Sequence, residues 1–353
     1  MRESFISEYL LDGEPDEDGR RLGDLFWGIF TTPVMVAIAD LNIAGILADK
    51  RLTSAEIADA ARTDPDSTLR LLRAGVTVGL LAADDDGRYA LTRTGRGLRP
   101  DVSGFGAMAG FWQVPMAAAL AGLADHVRDG RRVDPAAPGG FWDWLGEHPR
   151  GVAGFAGAMG YVTSRVLAGL AAIDYRPPDG GQRVVDVGGN RGTTLAWLLK
   201  AAPGTSGVLF DRPESLAAAP GFLAEQRVAD RVELVGGSFL DQVPDGDLHV
   251  LSNVLHDWDD DRARQIVANC GRASRPGGWL VVIEADVPSV PEPSVGPLLD
   301  VAMMVTFGGR VRTREEHQAL AEPAGYTLAR EVPIPTTANQ PPSWRALEFQ
   351  RPA

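Results

Sequence analysis

The stretch "RVVDVGGNRGTTLAWLLKAAPGTSGVLFD", Arg183–Asp211, decides the fold. It opens with a short β-rich run and breaks at Gly188-Gly189. A helical run follows from Thr193, and a second β-rich run ends at Phe210-Asp211. Strand, tight turn, helix, strand is the unit of a parallel sheet, because parallel neighbours need a long crossover. The alternation continues through "SLAAAPGFLAEQ", "VELVGGSF", "LHVLSNVL", "RARQIVANCGRA" and "GGWLVVIEAD". Short apolar strands alternating with helices predict an α/β domain over residues 181–353, its sheet covered by helices on both faces. In such sheets ligands bind beyond the C-terminal ends of the strands, so the residues just after each strand are the informative ones.

At the first strand end the glycines permit a tight turn and close ligand approach, and the following helix presents free N–H groups. The spacing does not fit G-x-G-x-x-G, since Asn190 stands two residues after Gly188, so a nicotinamide cofactor is disfavoured. Asp186 lies inside the turn motif, able to accept hydrogen bonds or meet a cation. Asp211 follows the second strand about 20 positions on, where a carboxylate suits ribose hydroxyls or else caps a helix. After the third strand, Ser238 can bond a base edge and Phe239 can stack on it. Together these predict an adenosyl cofactor without a pyrophosphate.

The fourth strand runs into "VLHDWDDD", Val254–Asp261, with one imidazole and four carboxylates in six residues. Asp257 or Asp259 makes a good N-cap for the next helix, and acids in its first turn favour the dipole. That accounts for the carboxylates. It does not account for His256, placed at a strand end over the predicted crevice. We read Asp259–Asp261 as the helix start and His256 as a candidate base. The fifth strand, "WLVVIEAD", brings Glu284 to the same crevice.

Upstream, residues 24–49 have helical periodicity. "LTSAEIADAARTDPDSTLRLLRAGVTVGLLAADDDGRYALT" follows. It has Thr53 or Ser54 as an N-cap with Glu56 close behind, a turn at Asp64-Pro65-Asp66, a second helix ending near Gly79 and a hairpin turning at Asp86-Gly87. Helix, turn, helix, hairpin is a winged-helix pattern. Arg70 and Arg73 have acidic neighbours that offset their charge, so a dimerisation role is favoured over DNA binding. Residues 101–180 form a helical connector, divided by the Pro/Gly-rich "DPAAPGG", Asp134–Gly140. In "FWDWLGEHPRGVAGFAGAMGYVT", Phe155 and Met159 sit four apart and share a helix face. That face is either core or a wall for a flat ligand.

The chain has 353 residues, too many for one ordinary domain. Its net charge of −13 argues against nucleic acid or an anionic membrane as partner. Cys270 is the only cysteine, which fits a reducing cytoplasm. The apolar run Leu25–Leu47, interrupted by Asp40 and Asn42, reads as a buried helix and not a membrane span. Glu3 and Glu8 stand where a signal peptide has basic residues. A soluble, cytoplasmic protein is expected, and no cluster has metal-ligand spacing.

The motifs "DVGG", "LFDRP", "GGSF", "LHDWDDDRARQI", "GRASRPGGWLVVIE" and "GGRVRT" (Gly308–Thr313) resemble the S-adenosylmethionine-dependent O-methyltransferases of the caffeic-acid type, the bacterial natural-product branch above all. The resemblance spans nearly the whole chain. It implies a Rossmann-like S-adenosylmethionine-binding catalytic domain over 181–353. It also implies a winged-helix-like homodimerisation domain over 1–100 and a connector, 101–180, contributing to the substrate pocket. Cofactor contacts are implied for Asp186, Gly188, Gly189, Asp211, Ser238, Phe239 and Ser252. His256 is implied as general base beside Glu284, with Asp257 as the second carboxylate candidate. A small aromatic acceptor would lie against Phe155, Met159, Met303 and Phe307.

Three positions depart from the family pattern. Asn190 replaces a glycine, the least costly exchange if the position needs positive φ. Ser238 replaces an aspartate. Val311 replaces a glutamate that flanks the histidine, which leaves the base supported from one side. Two other readings remain open: a relative that uses the cofactor site for hydroxylation or pericyclic chemistry, and a winged-helix regulator without catalysis.

Overall fold

The computed structural model describes residues 17–102, 104–130, 141–147, 149–178, 183–288, 293–335 and 343–353. The linker Asp134–Gly140 and His148 lie outside the described residues. The chain falls into two compact units, Met1–Gln113 and Val114–Ala353.

In the first unit a helix, Glu17–Asp40, runs up to Asn42, whose left-handed backbone (φ 53°) redirects the chain into a short helix, Ile43–Leu47. Strand β1 (Leu52–Thr53) leads into the helix Ser54–Ala61. Thr53 is the cap. Its hydroxyl accepts from the Glu56 N–H, and the Glu56 carboxylate accepts from the Thr53 N–H, a reciprocal capping box. Asp64 caps the helix Pro65–Thr77 by accepting from the Ser67 N–H at 2.8 Å. Strands β2 (Leu81–Ala83) and β3 (Arg88–Leu91) form the hairpin, and β1 pairs with the far edge of β3. Ile38, Ile43, Leu47, Ile57, Leu72 and Leu81 make the core of this winged helix. Arg70 pairs with Asp66 one turn away.

The expectation of a buried helix over Leu25–Leu47 holds for Val36, Ile38, Ile43 and Leu47 and needs correction for the N-terminal half. Leu22, Leu25, Phe26, Ile29 and Phe30 are each more than half exposed. They recur at three and four residues, so they form one apolar stripe that this chain leaves uncovered. Among the described residues, Glu17–Asp40 is also the one helix long and apolar enough to cross a membrane by length and composition.

The second unit is built on a seven-stranded sheet. Its strands are β4 (Arg183–Val187), β5 (Ser206–Asp211), β6 (Val232–Gly236), β7 (Gly246–Ser252), β8 (Ser274–Ala285), β9 (Thr327–Ile334) and β10 (Trp344–Gln350). The order is β6-β5-β4-β7-β8-β10-β9, with β10 antiparallel to both neighbours and β4–β8 parallel. Alternate residues enter opposite cores: Val184, Leu248 and Val250 on one face, Val185, Val187 and Leu251 on the other. Both faces are therefore covered, as the apolar strands require. The chain runs from β4 outward to β6, then returns to β7 on the other side of β4. That reversal opens a crevice at the C-terminal ends of β4 and β7. The helix Pro149–Ala172 belongs to this unit, with Val166, Leu167 and Leu170 in its first core.

Candidate active site

The glycine turn after β4 is shaped by contacts that no side chain could share. Gly188 has φ +70°, and a Cβ on Gly189 would stand 2.5 Å from the Asp186 carboxylate and from Leu209. Asn190 has φ 53°, so the position does require the left-handed region, where asparagine is tolerated. Its N–H donates to Asp211 Oδ2 at 2.8 Å, and the Arg212 N–H donates to Asp211 Oδ1 at 2.7 Å. These bonds orient the carboxylate and leave it further lone pairs for a hydroxyl.

These residues border a cavity in unit two, open to solvent, of about 1090 Å³ with the solvent at its mouth included. Asp186, Gly188, Gly189, Asp211, Ser238, Phe239 and Ser252 all line it, as do Phe155, Met159 and Asp257. Asp186 Oδ1, Asn190 Oδ1 and Ser252 Oγ are buried there without a hydrogen-bond partner. Orphaned polar atoms around an apolar cavity are the lining a polar ligand completes. Burial pushes the Asp186 carboxyl up to about 7, against the Leu195 N–H that it accepts and helped by the charge of Asp211. Burial also raises Asp211. Two carboxylates with raised proton affinity on one crevice suit a cationic ligand.

His256 sits on a single 3-10 turn, Leu255–Asp257, separated from the end of β7 by two residues. Glu284 fixes this turn from β8. Its Oε1 accepts from the Val254 and Leu255 N–H groups at 2.9 and 2.8 Å, and its Oε2 lies 2.5 Å from His256 Nδ1. Asp257 Oδ1 is 3.5 Å from the other ring nitrogen, Nε2. His256, Asp257 and Glu284 are 6%, 9% and 2% exposed, so their charges are little screened. Burial alone would depress the imidazole; the charges of Glu284 and Asp257 outweigh it and raise His256 to about 9. Burial opposes ionisation of Glu284, yet the facing imidazole holds it below the usual carboxylate range. Burial pushes Asp257 up to about 7.

The one-sided support expected from Val311 is thus corrected. Val311 is buried and its N–H donates to Asp300, but the second carboxylate at the imidazole is Asp257. The helix that follows, Asp260–Ala273, is capped by Asp259, which accepts from the Arg262 N–H at 2.8 Å. The carboxylates of "HDWDDD" therefore have different roles. Asp257 faces the ring, and Asp259 starts the helix.

His256, Glu284, Met303 and Phe307 are buried outside the cavity lining. Phe307 packs edge-on against Phe141, with ring centres 4.6 Å apart, and tilted against Trp142 at 5.5 Å. Trp142 lines the cavity, stacked on Trp258 (6.0 Å, 8°), under the Arg212 guanidinium and edge-on to Phe155. Sequence reasoning passes over Trp142; the aromatic-rich stretch around it is the available signal. Arg191, Thr193 and Arg212 also line the cavity, and although Arg212 stands in the "LFDRP" motif, sequence reasoning names none of the three as a site residue. Of the remaining histidines, His249 and His317 are buried against the Pro244 and Thr313 carbonyls. Among the described residues no group of His, Cys, Asp or Glu is arranged to hold a metal ion.

Comparison with known proteins points the same way. Residues 121–327 match the O-methyltransferase domain model and residues 24–100 the O-methyltransferase dimerisation domain model. The chain is 36% identical, over 89% of its length and 94% of the relative's, to the 2,7-dihydroxy-5-methyl-1-naphthoate 7-O-methyltransferase of Streptomyces carzinostaticus. The structure of a mitomycin 7-O-methyltransferase superposes with a TM-score of 0.84 at 30% identity, covering 95% of this chain and 98% of that one. The O-methyltransferase of neocarzinostatin biosynthesis, solved with S-adenosylmethionine and 2-hydroxy-5-methyl naphthoic acid, gives 0.76 at 34% identity, with coverage of 91% and 96%.

Proposed function

Because the chain belongs to the S-adenosylmethionine-dependent O-methyltransferase family, we propose that it methylates a phenolic hydroxyl of an aromatic natural product, with His256 as the general base. The observation that carries this reading is the buried imidazole held between Glu284 and Asp257 on a turn that borders the cavity. S-adenosylmethionine supplies, when bound, an electrophilic methyl group on a sulfonium. The orphaned oxygens of Asp186, Asn190 and Ser252, with Asp211 and the close-set glycines, fit its polar groups. Phe239, Phe155 and Met159 offer apolar faces to the adenine and to a flat acceptor. Phe307 is buried and packs against Trp142 of the cavity lining, and Met303 is buried on the same helix.

A phenol must lose its proton to become a competent nucleophile. Against a phenol near 10, an ordinary imidazole near 6.5 takes the proton at a cost of about 5 kcal/mol. At about 9, His256 reduces that to roughly 1.4 kcal/mol. The compensation is occupancy, since only a few per cent of the imidazole is neutral at about pH 7.5 in the empty protein. The Glu284 charge beside Nδ1 favours the proton on that nitrogen, which leaves Nε2 to accept. Asp257 on the Nε2 side stabilises the imidazolium formed. The site needs no metal for this proton transfer.

The exposed stripe on Glu17–Asp40, overlapping the matched dimerisation domain, supports a soluble homodimer through the N-terminal unit. A cytoplasmic location fits the lone, buried Cys270. The test incubates the protein with labelled S-adenosylmethionine and a panel of hydroxylated naphthoates, phenazines and benzoates. Expected is a product heavier by one CH2 that H256A fails to form. Tight cofactor binding without transfer to any phenol, or full activity in H256A, overturns the reading.

A further inference from the structure

We propose that Arg312 is a positioning residue for the base: its buried guanidinium grips both ends of the turn that carries His256 and sets where the imidazole points. The proposal rests on His256 being the base.

An arginine is rarely buried unless every donor is used. Arg312 is 2% exposed, and apart from a 3.3 Å bond to the Arg310 carbonyl its donors go to the turn and the helix that follows it. One terminal nitrogen donates to the Leu255 carbonyl at 2.7 Å and the other to the Trp258 carbonyl at 2.8 Å, the residues on either side of His256 and Asp257. Nε and the second nitrogen donate to Asp260 Oδ1 at 3.0 and 2.8 Å, at the start of the next helix. A fork that bridges two carbonyls and a carboxylate at fixed spacing is guanidinium geometry; an ammonium cannot reproduce it. Gly309 brings the same segment against the turn, where a Cβ would stand 2.1 Å from the His256 carbonyl oxygen. Thr313 then anchors the segment through a capping box with Glu316. The "GGRVRT" segment is therefore a brace: close approach at Gly309, grip at Arg312, anchor at Thr313.

Glu284 fixes the turn from the β8 side through the Val254 and Leu255 N–H groups, and Arg312 fixes its carbonyls. The groups facing the imidazole are Glu284, Asp257 and Arg312; His317 lies near Glu284, and Asp260 and Arg310 lie on the outer side. Arg312 is the cation among the groups acting on His256, and it opposes protonation of the ring. Arg312 thus contributes to the position of the turn and, less than Glu284 and Asp257, to the proton affinity of the ring, and the two contributions are separable.

The test compares wild type, R312K, R312Q and H256A for kcat and KM from about pH 6 to about pH 10, with S-adenosylhomocysteine affinity by calorimetry. R312K keeps the charge and loses the fork, so kcat falls about tenfold with an unmoved pH limb and unchanged cofactor affinity. R312Q loses both, so kcat falls about a hundredfold and the limb moves to higher pH. A merely structural arginine would lower the melting temperature and leave kcat per folded enzyme and the limb in place; that result overturns the proposal. If R312Q does not fold, D260A removes the outer grip from a half-exposed position; kcat about tenfold down supports the brace, and an unchanged kcat overturns it. An active H256A would instead remove the base itself, a failure distinct from a normal R312Q beside an inactive H256A.

Discussion

Glu284→Gln separates charge from shape at the base. The amide oxygen must stay on the Val254 and Leu255 N–H groups, which donate to Oε1 in the native turn. That turns the NH2 toward His256 Nδ1, where Oε2 stood 2.5 Å away. Nδ1 must then accept, so the ring hydrogen moves to Nε2, and the nitrogen that should take the phenol proton already carries one. The charge effect adds to this. With charge centres roughly 4 Å apart, the lost attraction is about 4 kcal/mol at an effective dielectric of 20, or about 3 pKa units. His256 should fall from about 9 to roughly 6. Since the base acts only when neutral, activity rises with pH through its pKa. The wild-type limb therefore lies on the alkaline side of neutrality, and the variant's limb lies near 6 with a plateau lower by about 10²–10⁴. Single-turnover methyl transfer across pH reads both quantities, and an NMR titration of the imidazole reads the pKa without needing an acceptor. A variant within a few-fold of wild type that keeps its alkaline limb would refute the role of Glu284.

Asn190→Gly should keep S-adenosylhomocysteine affinity within about threefold, because glycine adopts the φ of 53° freely. Asn190→Val should lose about 1–2 kcal/mol of stability in denaturant unfolding; equal stability of the two variants would show that the left-handed turn is not required. Because Asp186 is raised to about 7, it is largely neutral below that pH, and a cationic cofactor favours its ionised form. Calorimetric affinity for S-adenosylmethionine should weaken by up to about tenfold per pH unit below 7, with proton release on binding; an affinity flat across this range would exclude the coupling. The double variant Phe26→Glu, Ile29→Glu should convert a dimer to a monomer by light scattering, while a persistent dimer would place the interface elsewhere.

Much of the sheet was legible because its strands are apolar on both faces, and a strand needing two covers reads the same in any context. The strand-end rule then pointed to Asp211, Ser238 and His256 as candidates; Asp211 and Ser238 line the cavity, and His256 is buried beside it. Arg312 was not legible. In sequence it is one of two arginines in a polar loop, and the default for arginine is exposure. Its burial is decided by carbonyls of Leu255 and Trp258, more than fifty positions upstream, which only the folded chain brings within reach. Asp257 is named from the sequence as the second carboxylate candidate, but its place beside the ring nitrogen opposite Glu284 was not legible there. Only the folded turn, Leu255–Asp257, shows Asp257 Oδ1 3.5 Å from Nε2. Met303 and Phe307 show the opposite limit: apolar residues near a site read alike whether they touch ligand or pack behind it, and both are buried outside the cavity lining.

The N-terminal helix carries this point further. Its hydropathy and period demand burial, and reading Leu25–Leu47 as a buried helix follows directly from them. Yet Leu25 is 71% exposed in the single chain. Periodicity states what a helix face requires; it does not state which molecule supplies the cover. The same stripe would satisfy a core, a membrane or a partner chain. Length and composition do not separate these, since the helix passes the test for a span. What separates them is the rest of the segment: the helix continues through Asn42 into a winged helix with its own closed core, and residues 24–100 match a dimerisation domain. A stripe projecting from such a unit is already ordered on one side, so covering the other face with a second copy adds apolar burial without ordering new backbone. For that reason the exposed face is better explained by a second protein chain than by lipid, and the oligomeric state is the measurement that decides it.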